Sequence, residues 1–261
     1  MIKKYRLIIL IVATLAVAGL VYLKINNYDI YEQLRQTATK ETTDITSNGG
    51  EVSEEKGTED NKGAGQMEQS LVVQKIIIDS DKDKDEILDL EDFVQGARME
   101  AKNKPLYRSE YYMGGYPPEH EGVCTDVIWR SFKNAGYNLK DMIDKDIKEH
   151  TADYPRVEGR PDTNIDFRRV PNQLVFFRKY ATKITSELKP NDADNLKHWQ
   201  GGDIVVFSKP DHIAIISDIR RKDGVPFIIH NSGPYAKEDD DLEMWMADDG
   251  IVGHFRFPKS N

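Results

Sequence analysis

An α+β domain is expected from three features of the chain. Helical patterning dominates up to about residue 135. The period changes near residue 200. Four short apolar runs then follow, at 204–207, 213–217, 226–230 and 252–257, each bounded by Gly, Pro or Asp. Helices first and short strands second suit a layer of helices packed on a small antiparallel sheet.

The chain has 261 residues, and its composition divides it into three parts. Residues 7–23 form an unbroken run of apolar and small residues, preceded by Lys3, Lys4 and Arg6 and followed by Lys24. This length lies at the short end of the roughly 17–25 residues that span a bilayer. Residues 1–26 are therefore expected to form a membrane anchor. The positive cluster predicts a cytoplasmic N-terminus and an extracytoplasmic C-terminal part, a single-pass protein of a bacterial cytoplasmic membrane. Ala16-Val17-Ala18 offers the alternative of a cleaved leader, but the apolar run continues through Leu20-Val21-Tyr22-Leu23. No cysteine lies near Ala18, which excludes a lipid-modified cysteine.

Residues 27–69 read as a disordered acidic tether. They are rich in Thr, Ser, Gly, Glu, Asp and Lys and carry too little apolar surface to offset the entropy of ordering. Residues 70–261 read as the folded domain, a length that suits one domain. The runs at 71–73 and 76–78 fit either a strand or the start of a helix. Residues 91–103 are patterned as a helix, and a Tyr-, Gly- and Pro-rich loop follows at 107–122. A helix beginning at Cys124 should stop at Gly136. In the region 137–200 the clear helix is 172–180.

The net charge is −9, and over half of the excess lies in residues 39–70. A nucleic-acid partner wants a basic face, so this class is excluded.

Cys124 is the single cysteine, so no intramolecular disulfide can form. An unpaired thiol in an exported protein is a candidate nucleophile; the plain alternative is a small buried core residue. The N-terminus of a helix favours a thiolate through its free N–H groups. A thiol nucleophile also needs a base and a group that orients the base. Asp211-His212 opens the strand at 213–217, and Phe227-Ile228-Ile229-His230-Asn231 ends the next one. Cys124 as nucleophile, His212 as base and His230 as orienter fit these roles. Asn231 is the runner-up orienter, because neighbouring strand residues face opposite ways. His120, His150, His198 and His254 lack such a setting and are expected at structural or surface positions.

The order of a Cys-bearing helix, the strand Gly202-Asp203-Ile204-Val205-Val206-Phe207, the strand opened by His212 and the strand ending in His230 resembles the NlpC-type branch of the papain-like cysteine peptidases. The segments Gly122-Val123-Cys124-Thr125-Asp126, 162–172 and His230-Asn231 look closer still to one bacterial family of unknown function within that superfamily. The resemblance covers roughly residues 79–257. It implies a papain-like fold, a Cys124–His212–His230 triad with no cofactor required for catalysis, and a cell-wall peptide as substrate. One departure stands out. NlpC-type enzymes usually carry Asp just before the Cys, where it helps bind a free amine; here that position is Val123.

Candidate substrate contacts surround this core. Tyr112 and Tyr116 lie on the Gly/Pro-rich loop and suit a cleft wall. Arg168 and Arg169 can each take a carboxylate through two hydrogen bonds, although ordinary ion pairs with nearby acids are the commoner explanation. Asp126 could replace the missing acid at Val123 or simply favour its helix N-terminus.

Upstream, Asp81, Asp83, Asp85, Asp89 and Asp92 fall at positions one, three, five, nine and twelve of a loop. That spacing matches the oxygen ligands of an EF-hand-like calcium loop, with Glu86 where Gly is usual. A structural calcium ion is thus expected, the alternative being a solvated acidic linker. Together these readings give an exported, membrane-tethered cysteine hydrolase cutting an amide bond of the cell envelope, with peptidoglycan as the substrate. A non-catalytic envelope-binding module and a thiol-dependent acyl transferase are the alternatives.

Overall fold

A computed structural model describes residues 70–208 and 211–259. The apolar run at 7–23 and the acidic segment at 27–69 lie outside the described residues. Among those described, no helix is long and apolar enough to cross a membrane.

The architecture is mixed α/β. Among the described residues six α-helices are α1 (Asp89–Asn103), α2 (Cys124–Asn134), α3 (Leu139–Glu149), α4 (Val170–Tyr180), α5 (Ala193–Leu196) and α6 (Leu242–Asp249). Strands β1 (Leu106–Tyr107) and β2 (Glu121–Gly122) form a small parallel pair. The other six strands are β3 (Thr182–Lys183), β4 (Ile204–Ser208), β5 (Asp211–Arg220), β6 (Pro226–His230), β7 (Lys237–Asp239) and β8 (Ile251–Arg256). They form one antiparallel sheet in the order β3-β8-β4-β5-β6-β7.

The central strands are apolar at nearly every position because both sheet faces are covered. Ile204, Val206, Ile213, Ile215, Ile229 and Phe255 face Phe93 of α1, Val127, Ile128 and Phe132 of α2 and Phe177 of α4. Val205, Phe207, Ala214, Ile216 and Ile228 face Leu196, Trp199 and Leu242 on the other side. The first layer is tied by aromatic contact, with Phe93 and Phe132 stacked at 4.4 Å between ring centres. Removing a ring of this kind costs about 3–5 kcal/mol.

Two details set how α1 meets the sheet. Gly202 adopts φ +89°, and a Cβ there would lie 2.4 Å from the Leu90 carbonyl oxygen, so α1 crosses where only glycine fits. The following Asp203 is fully buried and takes both Nε and Nη2 of Arg256 at 2.7 Å, with His254 Nε2 at 3.3 Å. His254 is therefore structural.

Three expectations need correction. Residues 71–73 and 76–78 form neither strand nor helix; they run along the domain, with Ile76 N–H donating to Gln200 Oε1. The region 137–200 holds a second full helix, α3, whose Leu139, Ile143 and Ile147 are buried and whose Asn138 side chain caps Asp141 N–H. The segment after β6 adds β7 and α6, and both bear on the site below.

Candidate active site

Cys124 is the first residue of α2. Val123 before it is extended, and its N–H donates to Asp126 Oδ2 at 2.8 Å. This fixes the chain direction into the helix and aims the first N–H groups at the thiol. The backbone N–H groups of Ile213, Thr125 and Cys124 itself all favour a negative sulfur. Burial acts more strongly. The thiol is 7% exposed, and burial pushes it up to about 12. The depressed pKa expected of a helix-start cysteine is thus reversed in the resting protein, because desolvation outweighs three N–H dipoles.

The two histidines meet. His212 Nε2 and His230 Nδ1 are 2.7 Å apart, and His230 Nε2 lies 3.3 Å from Asp239 Oδ1. A carboxylate can only accept, so His230 donates Nε2–H to Asp239 and accepts the His212 Nε2–H at Nδ1. His212 Nδ1 is then left with its lone pair. Burial first, then His230 and Lys237, pull His212 down to about 3, so its ring is neutral. Burial raises the Asp239 carboxyl, but hydrogen bonds from His230 and Lys237 bring it below the usual value. Lys237 Nζ also pairs with Asp241 at 2.7 Å. This ammonium fills the cluster of His230, Asp239 and Asp241, which would otherwise suit a cation. Trp245 of α6 stacks on His212 with ring centres 4.1 Å apart and an interplanar angle of 12°.

The thiol and the imidazole pair approach β5 from opposite sides. Ile213, whose N–H faces Cys124, belongs to the layer beneath α2. His212 pairs across the sheet with Phe207, and both turn to the Trp245 side. Among the described residues no hydrogen bond joins Cys124 to His212; Sγ sits at the peptide that links His212 to Ile213.

Asn231 occupies the Cys124 side. Its Nδ2 donates to the Pro105 and Gly122 carbonyls, both at 3.1 Å. It therefore ties the end of β6 to the strand that leads into Cys124 and has no hydrogen bond to His212. Tyr107, on β1, is also near the thiol: burial and then the Cys124 charge raise its phenol. Sequence reasoning missed Tyr107, Asp239 and Trp245. An aromatic in the Tyr-rich loop was a signal for the first; the other two lie between the apolar runs at 226–230 and 252–257 and carry no motif.

The substrate candidates fall differently. Arg168 is buried and grips Asp126 with Nε and Nη2, each at 2.8 Å. Asp126 also accepts from Trp129 Nε1 at 2.7 Å. The two charges satisfy each other, so neither is free for a ligand. Tyr112 lies over the Arg168 guanidinium and donates to Glu121 at 2.7 Å. Arg169 is part-exposed, with Nη1 on the Arg156 carbonyl at 3.0 Å. Tyr116 walls a cleft of about 530 Å³ with Trp129, Tyr137 and Lys140; Cys124 does not line it.

Residues 94–257 match the family described as a domain of unknown function, DUF1287. The chain belongs to this family. It is also similar to the uncharacterized protein YijF of Escherichia coli strain K12, at 34% identity over 171 residues, which cover 62% of this chain and 78% of that protein. No solved structure matches. The DUF1287 span contains Cys124, His212, His230 and Asp239, while the acidic loop lies just before it. In that loop Asp81 takes Lys84 and Glu86 N–H, and Asp85 takes Ile87 N–H. Asp89 takes Ser80 Oγ, Lys82 N–H and Tyr137 OH, so its oxygens are already engaged. Glu86 adopts φ +74°, the left-handed turn that glycine would make there.

Proposed function

We propose that this DUF1287 member is a cysteine-dependent hydrolase with a papain-like arrangement, tethered to the membrane through residues 7–23 and cutting an amide bond of the cell envelope. The substrate class is the peptide part of peptidoglycan. The observation that carries the reading is the relay Asp239–His230–His212, with His230 Nδ1 2.7 Å from His212 Nε2. It leaves the His212 Nδ1 lone pair as the one base at the start of the strand that touches the thiol.

The chemistry follows from these groups. His212 Nδ1 removes the Cys124 proton as Sγ attacks the scissile carbonyl carbon. The N–H groups of Cys124 and Thr125 stabilise the oxygen that becomes negative. The C–N bond breaks, and His212 returns its proton to the amine. Water, deprotonated by His212, then attacks the thioester and frees Cys124. Sulfur and imidazole stand on opposite sides of β5, so this transfer requires the start of β5 to turn when substrate binds and bring His212 Nδ1 to Sγ.

The buried neutral thiol and the absence of a Cys124–His212 hydrogen bond favour a second reading, a non-catalytic envelope-binding module on the same fold. Turnover separates the two. Full-length protein incubated with peptidoglycan fragments should release a new amine and carboxylate, read by mass spectrometry. Cys124→Ala and His212→Ala should each abolish release. Wall binding with no product from the unmodified protein would establish the second reading.

A further inference from the structure

We propose that the loop from Asp81 to Asp92 binds a calcium ion through the carboxylates of Asp81, Asp83, Asp85 and Asp92, and that the ion clamps α1 onto the helix that carries Cys124. The loop precedes the family-matched span, and the hydrolase reading makes no use of it.

Asp81, Asp83 and Asp85 present oxygens that all lie within 4.8 Å of one another. An acidic cluster of this kind is common on protein surfaces. Asp92 distinguishes this one. It is 2% exposed, and its Oδ2 has no hydrogen-bond partner. Its other oxygen receives only the Asn134 amide, at 3.2 Å. The carboxylate is set among Asp85, Asp83, Asp89 and Asp81 as like charges. Among the described residues none of these five acids pairs with Lys or Arg; the nearby Lys82 lies over the Tyr137 ring instead. A buried, unpartnered carboxylate oxygen is costly unless a cation meets it.

The ligand chemistry selects the ion. Every donor is a hard oxygen, with no His or Cys, which argues for calcium over zinc. Asp81, Asp83, Asp85 and Asp92 stand at positions one, three, five and twelve, and the backbone carbonyl of Ile87 stands at seven. With water, that meets the minimum of about six oxygens that calcium takes. Asp89 is excluded from direct ligation by its three protein donors.

The loop is docked on the far end of α2. Asn134 Nδ2 donates to the Asp92 carbonyl at 3.0 Å, and Tyr137 OH donates to Asp89 at 2.5 Å. Gly136 is glycine where a Cβ would lie 2.7 Å from Asp83 Cβ. An ion held by this loop therefore fixes α1 and α2 against each other from the end opposite Cys124.

The test uses full-length protein stripped of metal with chelator, then melted with and without about 5 mM calcium chloride, alongside a calorimetric calcium titration. At a dissociation constant near 10⁻⁴–10⁻³ M, calcium should raise the melting temperature by about 3–5 °C. Magnesium at the same concentration should give less than half of that rise. Asp83→Asn should remove the rise and leave the metal-free melting temperature within about 1 °C. Asp85→Asn, also at an exposed position, serves if Asp83→Asn does not fold. Asp92→Asn should raise the metal-free melting temperature, because the buried charge is gone, and also abolish the calcium response. No shift and no binding heat with calcium would overturn the proposal. So would a calcium shift that survives Asp83→Asn or Asp85→Asn. An equal shift with magnesium would overturn the choice of calcium.

Discussion

His212 Nε2 stands 2.7 Å from His230 Nδ1, with both rings buried and the Trp245 indole stacked on the first. This pairing explains why one ring nitrogen of His212 is occupied and the other is left for chemistry. Burial of the His212 ring also makes it a source of pH dependence.

His212 is neutral in the folded protein, with a pKa of about 3 against 6.5 for the free side chain. Between those values the unfolded chain binds a proton that the folded chain does not. Stability from this group is therefore fully present above about pH 6.5 and is lost as the pH falls toward 3. The slope should reach about 1.4 kcal/mol per pH unit inside that window. Denaturant titrations at pH 7, 5.5 and 4 check this. His212→Gln should show a shallower loss; equal slopes would place the pH dependence elsewhere.

Asp239 sets the tautomer, so Asp239→Asn should lower kcat, by up to about 10⁴-fold, with little change in KM. His230→Ala should cost more, because it also removes the hydrogen bond to His212. An Asp239→Asn protein with unchanged kcat and an unchanged pH profile would remove Asp239 from the relay.

Asn231 is a clamp. Asn231→Ala should lose about 1–3 kcal/mol of stability, since two buried hydrogen bonds go and the carbonyls of Pro105 and Gly122 keep only the backbone N–H groups of Ala236 and Arg108. Chemical denaturation reads this directly. A stable Asn231→Ala protein whose turnover falls further than that of His230→Ala would make Asn231 the orienting residue instead.

Arg168→Ala leaves the buried Asp126 without a cation, held only by the N–H groups of Val123 and Trp129. The expected loss is about 3–5 kcal/mol, and Arg168→Lys should recover only part, because the fork of two 2.8 Å bonds is lost. A protein of unchanged stability with a raised KM would restore Arg168 to the role of substrate anchor.

Much of the sheet was legible in the sequence because its strands are short, apolar and cleanly punctuated. Residues 226–230 form a strand over the expected range, and the Cys124 helix starts where expected. α3 escaped notice because acids and lysines alternate between its buried Leu139, Ile143 and Ile147. The positions of His212 and His230 could be expected from the order of strands. The partner that fixes their protons could not, since Asp239 sits in a three-residue strand within an acidic stretch. The burial that raises the Cys124 pKa depends on the packing of α2 against β5 and leaves no trace in the residues beside it. An ion pair for Arg168 was legible in the sequence, but its partner Asp126 was not, because the pairing spans 42 positions of chain.

The thiol's environment also makes it slow toward simple reagents. At pH 7 the resting Cys124 should react with iodoacetamide at least about tenfold more slowly than an exposed thiol, because burial holds it protonated. Denaturant should remove the difference. Rapid labelling of the folded protein would show a thiolate already present at rest.

The central claim is that Cys124 forms a covalent bond with substrate. Full-length protein is mixed with peptidoglycan fragments, quenched in acid during turnover, and digested for mass spectrometry of the peptide that contains Cys124. The expected result is a thioester on Cys124 whose added mass equals the released acyl fragment, present with the unmodified protein and lost in Cys124→Ala together with all product. Product formed at the same rate by Cys124→Ala, with no adduct on the unmodified protein, would contradict it.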